Sequence, residues 1–112
     1  MYNIYLICSE INDSKLYKIG YTRRPIEKRL KEIKTGNGAD VYLIDSYRTK
    51  WGPKLEAILK RKFAYCNISG EWFNLNNSDI ISFNETCYEI DDNLNFIENN
   101  NTYYIDKING KI

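Results

Sequence analysis

The sequence predicts an α+β fold: a small mixed sheet flanked by helices, in the order ββαβα with a final extended piece, followed by a C-terminal acidic, Asn-rich extension. Three observations carry this. Short apolar runs of strand type alternate with two amphipathic stretches, each opened by a proline. The first two runs are joined by a polar turn too short to hold a helix. The charge texture changes after residue 76: residues 1–76 carry 14 Lys/Arg against 8 Asp/Glu, net +6, and residues 77–112 carry 2 against 7, net −5.

Taken in order, "NIYLIC" (3–8) reads as a buried strand, "SEINDSK" (9–15) as a longer polar loop and "LYKIGYT" (16–22) as the returning strand of a hairpin. Gly20, near its end, permits close backbone approach. Pro25 suits the first turn of a helix, and "TGNG" at 35–38 stops it. Within that helix Ile26, Leu30 and Ile33 share a face, and Arg29 lies on its flank, able to point into the groove between helix and sheet. "VYLIDSY" (41–47) is the third strand. "GPKLEAILKRKF" (52–63) is a second helix with Leu55, Ile58, Leu59 and Phe63 as its buried stripe and Glu56 at the edge. "GEWFNL" (70–75) returns to extended chain.

Residues 1–76 thus form the predicted domain and residues 77–112 the extension. In the extension the runs "IISF", "CYEI", "NFI" and "TYYIDKI" are separated by polar breaks. Alternation at Tyr88 and Ile90, and at Tyr103 and Ile105, favours one or two further strands, with a partly disordered segment as the alternative. At 112 residues one domain is expected, with enough apolar content for a compact core.

Composition narrows the function classes. The basic front points to a polyanion partner, the alternative being a solvated mixed surface with a solubilising tail. No stretch approaches the roughly 20 apolar residues needed to cross a bilayer, and "MYNIYLICSEIN" lacks the basic start of a secretory signal. The expectation is an intracellular protein, in the cytoplasm or nucleus of a host, without a membrane partner. Cys8, Cys66 and Cys87 are odd in number and lack metal-ligand spacing, which suits reduced, mostly buried thiols. There is no histidine. That removes the usual general base, the usual zinc ligand and every Ser-His or Cys-His triad. Catalysis would have to rest on Tyr, Lys, Arg, Glu or Asp, helped by a metal-bound water.

"NIY" at 3–5, "YKIG" at 17–20, "IEKRL" with Arg29 nine residues after Gly20, "KLEAILKRKF" with Glu56, and "GEWFNL" at 70–75 together resemble the GIY-YIG endonuclease superfamily. More narrowly they resemble a phage- and virus-enriched branch with a KIG second motif and a closing GEWF. The resemblance spans about residues 2–76. It implies a three-stranded antiparallel sheet with flanking helices, and hydrolysis of DNA phosphodiesters with one divalent ion, Mg2+ or Mn2+.

Carried over residue by residue, the resemblance makes Tyr5 the phenol that contacts or activates the water, Arg29 the clamp on the scissile phosphate and Glu56 the metal ligand. A guanidinium fork suits phosphate oxygens, and a hard carboxylate suits an ion that keeps most of its waters. Lys18 stands where the second motif usually has a Tyr, a departure in which an amine orients water or holds phosphate. Ile33 stands where many members place His or Tyr. Tyr17, Gly20, Tyr21, Arg23, Arg24, Lys28 and Asn74 are candidate substrate contacts, and Lys31, Lys34, Lys60, Arg61 and Lys62 extend the positive surface toward backbone phosphates. Simpler roles stand beside these: an exposed strand lysine for Lys18, a helix arginine paired with Glu32 or Glu27 for Arg29, and an i,i+4 pair with Lys60 for Glu56. The expected function is a metal-dependent DNA endonuclease. The alternatives are a catalytically inactive nucleic-acid-binding domain of the same fold and a small interaction protein acting through its acidic tail.

Overall fold

The computed structural model describes residues 1–35 and 40–100. Strands β1 (Tyr2–Ile11) and β2 (Ser14–Thr22) form an antiparallel hairpin. Its turn is only Asn12 and Asp13, both at positive φ, 49° and 66°. Two such residues make the turn whose twist matches that of the flanking strands, and Asn and Asp tolerate the left-handed region best among non-glycines. The expected longer loop is therefore a two-residue turn; the polar residues around it continue the ladder out to the Ile11–Ser14 pair.

Strand β3 (Asp40–Thr49) pairs antiparallel with the other side of β1, with a register shift between Leu6 and Ile7. Strands β4 (Asn67–Ser69) and β5 (Trp72–Phe73) complete a five-stranded sheet in the order β3-β1-β2-β5-β4. The expected three-stranded sheet is the β3-β1-β2 side of it, and the two extra strands, from residues 67–73, add beyond β2. Gly70, at φ +54°, turns this short hairpin so that Trp72 and Phe73 lie against Lys18 and Tyr17 of β2. A positive φ is one that glycine adopts freely.

Lying between β3 and β2, β1 is covered on both faces, which is why Ile4–Ser9 is buried throughout instead of alternating. One face carries the main core: Ile4, Leu6, Cys8 and Ile19 against Leu55, Leu59 and Phe63 from α2 (Gly52–Lys62) and its end. The other carries a smaller cluster, Tyr5, Ile7 and Val41 beneath Ile26, Leu30 and Ile33 of α1 (Ile26–Thr35), the face expected from their spacing.

Residues 77–100 are helical: α3 (Asn77–Ile81), capped by Asn76, whose side chain accepts from the Asp79 backbone N–H at 2.8 Å, and α4 (Phe83–Asn100). This corrects the expectation of strands or disorder for the described part of the extension. Phe83, Cys87 and Ile90, spaced four and three apart, pack into or against the main core, whereas Tyr88, one member of the apparent alternation, is 60% exposed. The acids here are partly structural. Asp91 accepts hydrogen bonds from the Tyr47 hydroxyl at 3.0 Å and Thr49 Oγ1 at 2.5 Å, tying α4 to β3, and Trp51 Nε1, just before α2, donates to Asn95 Oδ1 at 2.8 Å. Burial, then the Asp91 carboxylate, pushes the Tyr47 phenol up to about 12. Burial, helped by Asp45 and Asp91, likewise lifts Cys87 to about 12; all three cysteines are free thiols. The "GNG" of the helix stop and the Tyr103–Ile105 alternation lie outside the described residues. Among the described residues no helix is long and apolar enough to cross a membrane.

Candidate active site

On the α1 face, Tyr5 of β1 stands opposite Gly20 of β2. Its ring and hydroxyl lie so close over Gly20 that any Cβ there would collide with them, so glycine is what lets the phenol cross β2. Tyr5 is 2% exposed. Above it Arg29, reaching from the flank of α1, donates from Nε to the Tyr5 hydroxyl at 3.3 Å and from Nη1 to Glu32 Oε2 at 3.3 Å. Arg24 also donates to this carboxylate, with Nη2 at 2.8 Å from Oε2. The Tyr5 hydroxyl, ahead of Glu32, holds Arg29 above the ordinary guanidinium range. Arg24, ahead of Arg29, holds the Glu32 carboxyl below the ordinary carboxylate range.

Lys18 lies on the same face, two residues before Gly20 on β2. That makes it a diagonal cross-strand neighbour of Tyr5, a spacing of roughly 7–8 Å in such ladders. Its ammonium stands 5.4 Å from the centre of the Trp72 ring and is ion-paired with Glu71. The second Glu71 oxygen is 3.4 Å from Lys60 Nζ, which is 3.0 Å from Glu56 Oε1. Signs alternate along Lys18–Glu71–Lys60–Glu56, a chain linking the Tyr5 face to α2 on the opposite face. Lys18 and Glu56 are its most sheltered members, at 13% and 15% side-chain exposure. Among the described residues no hydrogen bond or ion pair joins this chain to the Tyr5–Arg29 pair.

Burial opposes the charge on Glu71, yet Lys18 and Lys60 together outweigh it and hold its pKa below the ordinary value. Lys60 shows the mirror case: burial disfavours its charge, and Glu56 and Glu71 more than compensate, raising its pKa. A carboxylate with a lowered folded pKa contributes stability above its unfolded pKa, and this is lost as pH falls through the folded value. Thermal melts taken downward from pH 5 are therefore expected to lose stability more steeply for the wild type than for Glu71→Gln; equal slopes would mean that Glu71 is not held as described.

The remaining candidates divide. Tyr17 is buried on the opposite face in the main core, away from the groups above, and burial followed by Cys8 raises its pKa. Tyr21, 40% exposed, packs edge-on against Tyr2, over which Arg23 lies at 4.7 Å. Lys28 joins Arg24, Lys31, Glu32 and Thr35 along an open groove of about 340 Å³. Asn74, exposed just beyond β5, donates its backbone N–H to Cys66 O at 2.9 Å.

The i,i+4 pair of Glu56 with Lys60 and the i,i+3 pair of Arg29 with Glu32 are both present. Lys60, Arg29 and Glu32 each also reach a second group, whereas Glu56 is engaged by Lys60 alone among the described residues. The residue missed in the sequence is Glu71. Its signal was the turn glycine before it and the strand after it, which place its carboxylate at the start of the added hairpin.

Among the described residues no group of three or more His, Cys, Asp or Glu is arranged to hold an ion. Two carboxylates, Glu56 and Glu71, converge on the Lys60 amine. Carboxylates are the donor type of a hard ion that retains most of its water shell, and two are too few for a fully caged one.

No curated protein and no solved structure matches this chain. The family comparison does find a match, to the T5orf172 domain, found in phage proteins and associated with nuclease-like folds. It covers residues 3–88 and so runs past residue 76, through α3 and into α4, where Phe83 and Cys87 complete the core. On a match spanning the sheet, both flanking helices and the start of α4, the chain belongs to the T5orf172 domain family.

Proposed function

We propose that this protein is a metal-dependent endonuclease of the GIY-YIG type that hydrolyses phosphodiester bonds in DNA. The observation that carries the reading is the contact of Arg29 Nε with the Tyr5 hydroxyl, made possible by Gly20. It joins a phenol and a guanidinium from separate elements, in the chain positions where the resemblance puts a water-contacting Tyr and a phosphate clamp. The T5orf172 match supports a nuclease-like domain.

In this reading Arg29 binds a non-bridging phosphate oxygen and Tyr5 orients the attacking water. Lys18, on the same face, adds positive charge where negative charge develops. Glu56 would hold Mg2+ or Mn2+ with Glu71 beside it, and the bound ion would supply Lewis-acid stabilisation of the phosphoryl oxygens and the leaving group. Lys18 and Lys60 keep Glu71 charged. Contacts to DNA run through backbone phosphates, along Arg24 and Lys28.

Plasmid incubated with purified protein and Mg2+ or Mn2+ is expected to be nicked, and Glu56→Ala is expected to abolish nicking while leaving the melting temperature nearly unchanged. No nicking at any ionic strength, or undiminished nicking by Glu56→Ala, rejects the proposal.

A second reading, a binding domain without chemistry, is favoured by one observation: Glu56 is already neutralised by Lys60 at 3.0 Å. It predicts binding that weakens as salt rises, with no strand cleavage. The acidic-tail reading has less support, since the described acids include Asp91, which is engaged with β3.

A further inference from the structure

The space between Arg24 and Arg29 holds an anion supplied by the chain itself. Arg24 meets Glu32 with both terminal nitrogens, Nη1 at 2.5 Å from Oε1 and Nη2 at 2.8 Å from Oε2, and Arg29 Nη1 adds a 3.3 Å contact to Oε2. Guanidinium forks address two oxygens on one centre in this way whether the centre is a carboxyl carbon or a phosphorus. Around Glu32 the groove is lined by Arg24, Lys28, Lys31 and Thr35, so its surroundings are cationic. The Arg24 and Glu32 side chains are 54% and 43% exposed. Water screens a pair this open, and exchanging its carboxylate for another anion costs little. Arg29 meanwhile keeps Nε on the Tyr5 hydroxyl, so the seat adjoins the phenol.

We propose that the Arg24–Arg29 seat is a phosphate-binding subsite for the DNA backbone, held in the free protein by Glu32, which an incoming phosphate displaces. The proposal rests on the DNA reading above, but on binding, not on cleavage. It gives Arg24 a second half of the clamp and makes Glu32 a competitor of the substrate. Its charge opposes DNA only where the two arginines converge, so removing it should strengthen binding through those arginines in particular.

The test measures the affinity of the full chain for a fluorescent mixed-sequence duplex by anisotropy, in EDTA and low salt so that binding is read without cleavage. Glu32→Gln is expected to bind about five- to tenfold more tightly than wild type. Glu27→Gln removes the same charge from an exposed position on the same helix and is expected to change affinity less than about twofold. In an Arg24→Ala background, Glu32→Gln should bring no gain, since coupled residues are non-additive. Equal tightening by the two glutamine variants reduces the effect to net charge and overturns the proposal. Weaker binding by Glu32→Gln makes Glu32 an aligner of the arginines and also overturns it. So does the absence of DNA binding by wild type and Glu32→Gln alike. Failure of the nuclease reading is separate: wild type would never nick plasmid while the Glu32→Gln gain persists.

Discussion

Phe83→Ala is expected to destabilise the protein by about 3–5 kcal/mol, the usual range for truncating a fully buried phenylalanine. Phe83 is 0% exposed and belongs to the cluster formed by β1, β2 and α2. It opens α4, so its loss also loosens the seating of Cys87 and Ile90 one and two turns later. Urea or thermal unfolding reads the effect. Phe96→Ala, at a position 65% exposed on the same helix, is the control and should stay within about 0.5 kcal/mol of wild type. A Phe83 loss as small as that of Phe96 would mean that α4 is an appendage. By the same physics, a chain ending at residue 76 leaves the main core without Phe83 and Cys87 and is expected to be unfolded or aggregated, which its far-UV circular dichroism would show.

Arg29→Ala should have the largest effect on activity, lowering the nicking rate by about 100- to 1,000-fold, the typical loss on removing one preorganised donor aimed at developing charge. Arg29→Lys keeps the charge and loses the planar fork, so it should recover only part of the rate. The substitution also takes a partner from the buried Tyr5 hydroxyl, which costs about 1–3 kcal/mol if nothing replaces it. Tyr5→Phe separates the two consequences: it removes the hydroxyl without stranding it, so stability should hold while nicking falls. Wild-type nicking by both Arg29→Ala and Tyr5→Phe would make the contact purely structural.

Much of the framework was legible because local signals agreed. Pro25 and Pro53 announced helices whose apolar faces, Ile26–Leu30–Ile33 and Leu55–Leu59–Phe63, are the faces that pack, whereas Ile58, expected in the second stripe, is only half-buried and stands outside the core cluster. The hairpin was legible too, although Asn12 and Asp13 turn it more tightly than its run of polar residues implied. The extension failed for an identifiable reason. Its apolar residues are sparse among Asn and acids, so the positions 83, 87 and 90 that form a helical stripe competed with an accidental alternation at 88 and 90.

The site was half legible. Tyr5, Gly20, Lys18, Arg29 and Glu56 were picked out as residue types in suggestive positions, and Tyr5, Gly20 and Arg29 do meet. Of the partners that set their electrostatics, Glu32 is expected beside Arg29 but not beside Arg24, and Glu71 between two lysines is not expected at all.

By itself, the sequence determined what is local: which segments turn, which are amphipathic, and which carry charge, since these depend on residues a few positions apart. Only the tertiary structure decided which face each charge shares with which other. That depends on strand register and on the path of a short hairpin, Gly20 opposite Tyr5 and Trp72 opposite Lys18. A shift of one residue in either pairing would send the same side chains to the other side of the sheet.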